Sequence, residues 1–154
     1  MQDLPHHYTV AVAGAVDGDI ELTSAGLPYM VSASPAEFGG PGDRWSPETL
    51  LVGAVADCFL LTFRAVARAS KLPWTSLRCD VTGTLDRGER AMQFTHFDLH
   101  AAVTVPAGVD ADQIRHLLDK AERGCLITNS LKAEVRLTTD IQVSANPDGA
   151  LAGV

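Results

Sequence analysis

The residues in this sequence best suited to chemistry are its three cysteines, Cys58, Cys79 and Cys125. An odd count rules out a complete disulfide framework within one chain. Where thiols are kept reduced, a cysteine either packs as a small hydrophobe or serves redox or metal chemistry. Cys79 reads as packing, because it falls on the apolar side of the alternating run SLRCDVTGTL. Cys58 lies within LLVGAVADCFLL, and Cys125 follows a glycine in ERGCLITNSL. Each of these two reads either as a core filler or as a reactive thiol. A reactive Cys58 needs a cation nearby to hold its thiolate. Asp57 adjoins it, but successive helical side chains diverge by about 100°. Neither cysteine has a second Cys or His at zinc spacing. His6, His7, His96, His100 and His116 are scattered and read as solvated surface, so a metal site is not favoured.

The elements that must position these thiols are legible from pattern. Tyr8–Ala13, Ile20–Thr23 and Tyr29–Ala33 read as short strands separated by Gly- and Pro-bearing turns. A Gly/Pro-rich loop, SPAEFGGPGDRW, leads to a strong helix start. There Ser46 can cap, Pro47 suits the first helical position and Glu48 complements the helix dipole. No obvious breaker follows before Pro73, so one long helix carries Cys58. Its first half is apolar nearly all round, which predicts burial on every side, against a second copy as well as its own sheet. Residues 76–85 and 92–105 alternate as strands, and Phe94 falls out of step with Phe97, which predicts a bulge near Thr95 and His96. Asp110 and Gln113 start a second helix that Gly124 ends, and residues 133–143 form a closing strand. This order predicts an α+β fold, a mostly antiparallel sheet packed on a long buried central helix.

Composition narrows the partners. The chain has 154 residues, enough for one domain, read here as residues 1–143 with a frayed tail at 144–154. Twelve basic against nineteen acidic residues, a formal net charge of −7, argue against nucleic acid and against an anionic membrane surface. The apolar run Leu50–Phe63, broken by Asp57, is shorter than the roughly 20 residues that span a bilayer. The start MQDLPHHYTV lacks the basic and apolar regions of a secretion signal, so the expected location is cytoplasmic.

The stretch SPETLLVGAVADCFLLTFRAVARASKL resembles the central helix of the OsmC/Ohr family, the osmotically inducible protein C and organic hydroperoxide resistance proteins. Pro47, Glu48 and Cys58 match that family's helix start and its buried cysteine about ten residues on. AERGCLITNSLKAEVRL resembles its second cysteine segment, at Cys125. The resemblance covers roughly residues 8–143. It implies a thiol peroxidase in which Cys58 attacks an organic hydroperoxide, becomes a sulfenic acid and condenses with Cys125 to a disulfide. It further implies an external dithiol reductant, a lipoyl group among them, with no cofactor and no metal. The family's glutamate corresponds to Glu48. The family's arginine has no counterpart in residues 1–43, which contain none, and Arg44 is the nearest substitute.

Glu48 and Cys58 lie about 15 Å apart along one helix axis, too far to meet directly, which favours a contribution from a second subunit. The resemblance likewise implies an intertwined homodimer. Phe38, Trp45, Phe59 and Phe63 flank the site in sequence, either as an apolar substrate pocket or as ordinary packing. Such a pocket favours alkyl hydroperoxides over hydrogen peroxide, at about 0.8 kcal/mol per buried CH₂. The competing reading is a non-catalytic member of the fold that binds or senses an apolar small molecule at the dimer interface.

Overall fold

The computed structural model describes residues 3–144. The expected tail therefore lies, beyond Ser144, outside the described residues. The chain gathers into two compact units, Met1–Leu51 and Val52–Val154, and the division falls inside the first long helix.

The first unit holds a three-stranded antiparallel sheet of β1 (Ala11–Ala13), β2 (Ile20–Thr23) and β3 (Met30–Ser32), in that order. These strands are shorter than the runs expected at Tyr8–Ala13 and Tyr29–Ala33. Much of the apolar surface here is uncovered within the chain, with Val10 and Val12 each about 60% exposed. The following loop, with a single 3₁₀ turn at Ala36–Phe38, returns to the sheet. There the Ala33 N–H donates to the Trp45 carbonyl at 2.9 Å.

Helix α1 (Pro47–Ser70) starts on a reciprocal cap. The Thr49 N–H donates to Ser46 Oγ at 3.2 Å, and the Ser46 N–H donates to Thr49 Oγ1 at 2.8 Å. Two of the chain's otherwise orphaned donors are satisfied this way, with threonine in the role glutamate or glutamine usually takes.

In the second unit α1 buries Val55, Phe59, Phe63 and Ala67, one residue per turn along one side. Burial on every side is therefore not met within a single chain. Leu61, off that stripe, is half exposed. At 24 residues, α1 is also long and apolar enough to cross a membrane by length and composition, contrary to the estimate from Leu50–Phe63 alone. The helix ends before Pro73. Lys71 adopts a left-handed conformation (φ 53°), and the Leu72 N–H reaches back to the Ala67 carbonyl at 3.1 Å. This closes the helix with a Schellman-type turn.

The second sheet runs β4 (Ser76–Arg87), β5 (Met92–Val105), β6 (Glu134–Val143). β4 pairs antiparallel with β5, and the expected bulge is present. Thr84 faces His96 and Leu85 faces Phe94, so Thr95 is the extra residue. β6 pairs parallel to β5, while the other strand pairings described are antiparallel, in keeping with a mostly antiparallel fold. A parallel return needs a crossover, and α2 (Ala111–Gly124) with α3 (Leu126–Asn129) supplies it. β5 is the most buried strand, with Phe97, Leu99, Ala101, Val103 and Val105 inside. α2 adds Ile114, Leu117, Leu118 and Ala121 to the core, and its Asp110 cap accepts from the Asp112 N–H at 2.9 Å. α1 comes down on this sheet at Gly83, where an added Cβ would lie 2.9 Å from atoms of Val52, Phe94 and Phe97.

Candidate active site

Cys58 sits in the middle of α1, one residue before the buried Phe59. That offset places it at the edge of the buried stripe, and the side chain is only partly covered. Cys125 occupies the junction of α2 and α3 and is buried, at 1% exposure. It closes one helix and opens the next. Its N–H donates to the Glu122 carbonyl at 3.1 Å, and its own carbonyl accepts from the Asn129 N–H at 3.1 Å and from Thr128 Oγ1 at 3.2 Å. The four-residue α3 directly follows Cys125, an element the sequence pattern did not predict. Gly124 is the last residue of α2 rather than a left-handed cap beyond it. It lies against α1: an added Cβ would stand 3.4 Å from Thr62 Cγ2, an ordinary packing distance.

The fold thus brings Cys58 and Cys125 near enough for each thiol to act on the other's ionisation. Their surroundings tune them in opposite directions. Burial pushes the Cys58 thiol up, but donors outweigh it and hold the thiol below its ordinary value. Those donors are the Ile127 N–H, the Cys125 thiol, the Leu126 N–H and the Thr62 hydroxyl. The two backbone groups are free to act because the first N–H groups of a helix have no partner inside it. Burial pushes the Cys125 thiol up, against donors at Thr128, and the adjacent Cys58 pushes it the same way. Cys79 is raised to about 11, by burial first, then by the negative charge of Asp80 and by Cys125. The pair can therefore hold one thiolate, on Cys58, with Cys125 as a neutral donor beside it. The groups that act on Cys58 are all neutral, and Asp57 points out to solvent.

The other residues singled out from sequence lie as follows. In the first unit Arg44 is engaged by acids: its Nε donates to Asp19 Oδ2 at 3.1 Å and its Nη1 meets Asp43 Oδ2 at 3.0 Å. Glu48 Oε2 is buried and has no hydrogen-bond partner among the described residues. Glu48 and Phe38 line a half-open hollow of about 510 Å³ whose walls are mostly apolar, Val12, Ile20 and Leu22 among them. Trp45 is about half exposed and borders a separate hollow with Arg44. In the second unit Phe59 and Phe63 are wholly buried, and Phe63 meets Trp74 edge to face at 5.3 Å.

Sequence reasoning missed Thr62 and the two N–H donors. A hydroxyl four residues beyond Cys58, on the same helical face, was a readable signal for Thr62. The N–H groups of Leu126 and Ile127 have no side-chain signature, because they depend on α3 beginning where it does.

These features define a class: an α+β protein in which a long helix sets a low-lying thiol against a second, buried one at a helix junction. A family model for OsmC-like protein matches residues 40–140, and the chain belongs to that family. It is 23% identical over 141 residues to the uncharacterized protein YmaD of Bacillus subtilis, covering 90% of this chain and 94% of that one. It is 30% identical over 92 residues to the peroxiredoxin OsmC of Escherichia coli, covering 60% of this chain and 64% of that one. Among solved structures, an organic hydroperoxide resistance protein OsmC from Legionella pneumophila superposes with a TM-score of 0.72 at 25% identity. That match covers 92% of this chain and all of the other.

Proposed function

We propose that this protein is a thiol peroxidase for organic hydroperoxides, with Cys58 as the attacking residue and Cys125 as the resolving one. The observation that carries this reading is the Cys58–Cys125 pair itself, one thiol lowered and partly exposed, the other raised and buried. In the first step the Cys58 thiolate attacks the outer oxygen of ROOH. The O–O bond breaks, ROH leaves after taking a proton, and Cys58 becomes a sulfenic acid. The Cys125 sulfur then attacks the Cys58 sulfur, a disulfide forms and the hydroxyl leaves as water. An external dithiol, such as a lipoyl group, restores both thiols by exchange and is itself oxidised to a disulfide. No cofactor or metal enters this cycle. Relatives named for peroxiredoxin activity and for organic hydroperoxide resistance support the same chemistry.

The working unit in this proposal is a homodimer in the cytoplasm, where the starting thiols stay reduced. Only 22% of the most apolar window of α1 is buried within one chain, and the first unit leaves Tyr8, Val10, Val12 and Tyr29 exposed. So much uncovered apolar surface is what a partner copy covers. The test is consumption of cumene hydroperoxide and of hydrogen peroxide by the reduced protein with a dithiol. Consumption is expected to be faster with the organic peroxide and lost in Cys58→Ser. Cys125→Ser should complete one turnover and stall with an oxidised Cys58. A Cys58→Ser variant as active as wild type overturns the reading.

A second reading rests on a separate observation. Arg44 is held by Asp19 and Asp43, and Glu48 Oε2 faces no donor, beside a mostly apolar hollow. This favours a non-catalytic protein that binds an apolar small molecule. Unchanged thiols after exposure to cumene hydroperoxide select it.

A further inference from the structure

We propose that the hollow beside the start of α1 is a binding site for a small primary amine with an apolar body, whose ammonium group meets the Glu48 carboxylate. The proposal deepens the second reading by naming the class of ligand, and it does not depend on the thiol chemistry. The hollow lies wholly within the first unit, between the strands of the first sheet, the loop that carries Phe38 and the first turn of α1. At about 510 Å³ it falls within the range of small-ligand pockets. Val12, Ile20, Leu22 and Phe38 give it apolar walls, Ser34 adds a hydroxyl, and Glu48 is the one ionisable residue among those that line it.

Glu48 fixes what the ligand must carry. Its Oε2 is buried and has no hydrogen-bond partner among the described residues. A buried carboxylate oxygen left without a donor is costly, and a ligand that brings both a donor and a positive charge removes that cost. The chain does not supply the cation at this place. No lysine, arginine or histidine lines the hollow. Arg44, the nearest in sequence, is held by Asp19 and Asp43 and borders a different hollow. An alkyl amine is protonated at neutral pH and supplies the missing charge. Its aliphatic or aromatic body leaves water against the apolar walls. An alcohol of the same shape offers Glu48 a donor without the charge, which makes the weaker hydrogen bond. A carboxylic acid of that shape is repelled.

The test is a titration of the full-length protein, in the oligomeric state it adopts in solution, with hexylamine, hexanol and hexanoate, which share one tail and differ in head group. Binding is read by calorimetry and by NMR shifts of the Val12, Ile20 and Leu22 methyls, with melting temperatures recorded for each variant. Hexylamine is expected to bind with a dissociation constant of about 1 mM or lower, hexanol roughly tenfold or more weakly, and hexanoate not at all. Glu48→Gln keeps the shape and removes the charge, and should weaken hexylamine to the level of hexanol. Leu22→Trp keeps Glu48 and fills the hollow, and should weaken both. Hexanol that binds wild type as tightly as hexylamine overturns the proposal. So does a Glu48→Gln or Leu22→Trp variant that binds hexylamine like wild type. Absence of any methyl shift at about 10 mM hexylamine also overturns it, and is the result expected if a second copy fills the hollow. Oxidation of Cys58 by cumene hydroperoxide would set aside the non-catalytic reading without moving these titrations, so the two fail separately.

Discussion

The Cys58 thiol lies beside the Cys125 thiol, and the fold lowers the first while raising the second. Two cysteines from distant parts of the chain are thereby made unequal. One is a helical residue at the edge of a buried stripe, the other a fully buried hinge between two helices. Unequal thiols suit a cycle in which one attacks first and the other follows.

The three cysteines should therefore alkylate in a fixed order as pH rises. Cys58 reacts with its midpoint below the ordinary thiol range, Cys125 above it, and Cys79, raised to about 11, last. The sign follows from the thiolate being the reactive form: lowering a thiol's pKa raises its reactive fraction at any pH below the ordinary midpoint. Mass spectrometry of iodoacetamide-treated peptides checks the order. Cys79 modified before Cys58 would refute it.

Gly83 is the point where α1 meets the second sheet. A methyl there would sit 2.9 Å from Val52 Cγ2 and from the rings of Phe94 and Phe97. The two rings are already stacked at 5.1 Å and the stacked pair leaves little room to yield. Gly83→Ala should destabilise the fold by about 1–3 kcal/mol, the usual range for overpacking. Urea denaturation measures it, and a variant as stable as wild type would contradict this packing.

Lys71 ends α1 at φ 53°, a conformation that glycine adopts without strain. Lys71→Gly should stabilise the protein by up to about 1 kcal/mol, despite glycine's greater freedom when unfolded. Thermal denaturation tests the sign, and a lowered melting temperature would count against the Schellman-type end.

Much of this architecture was legible in the sequence, and the gaps have physical causes. Ser46, Pro47 and Asp110 announce helix starts through local chemistry, and both helices begin where those residues say. The out-of-step pair Phe94 and Phe97 announced the bulge at Thr95, because strand period is local too. The parallel partner of β5 was not legible, since strand direction is set by the crossover rather than by the alternation of residues 134–143. Within the site, the cysteines stood out by type and spacing. The donors around Cys58 did not, because two are backbone groups and the third is a threonine in an apolar run. Burial of α1 on every side was expected with a second copy in place, and a single chain covers only the side of Val55, Phe59, Phe63 and Ala67.

The central claim is that Cys58 and Cys125 form the working disulfide. Its most direct test is peptide mapping of the protein after one equivalent of cumene hydroperoxide, with remaining thiols blocked. The account predicts a product lighter by two hydrogens, a linked pair of peptides carrying Cys58 and Cys125, and Cys79 recovered as the blocked thiol. Recovery of all three cysteines as blocked thiols, or a disulfide that includes Cys79 in place of Cys58, would contradict it.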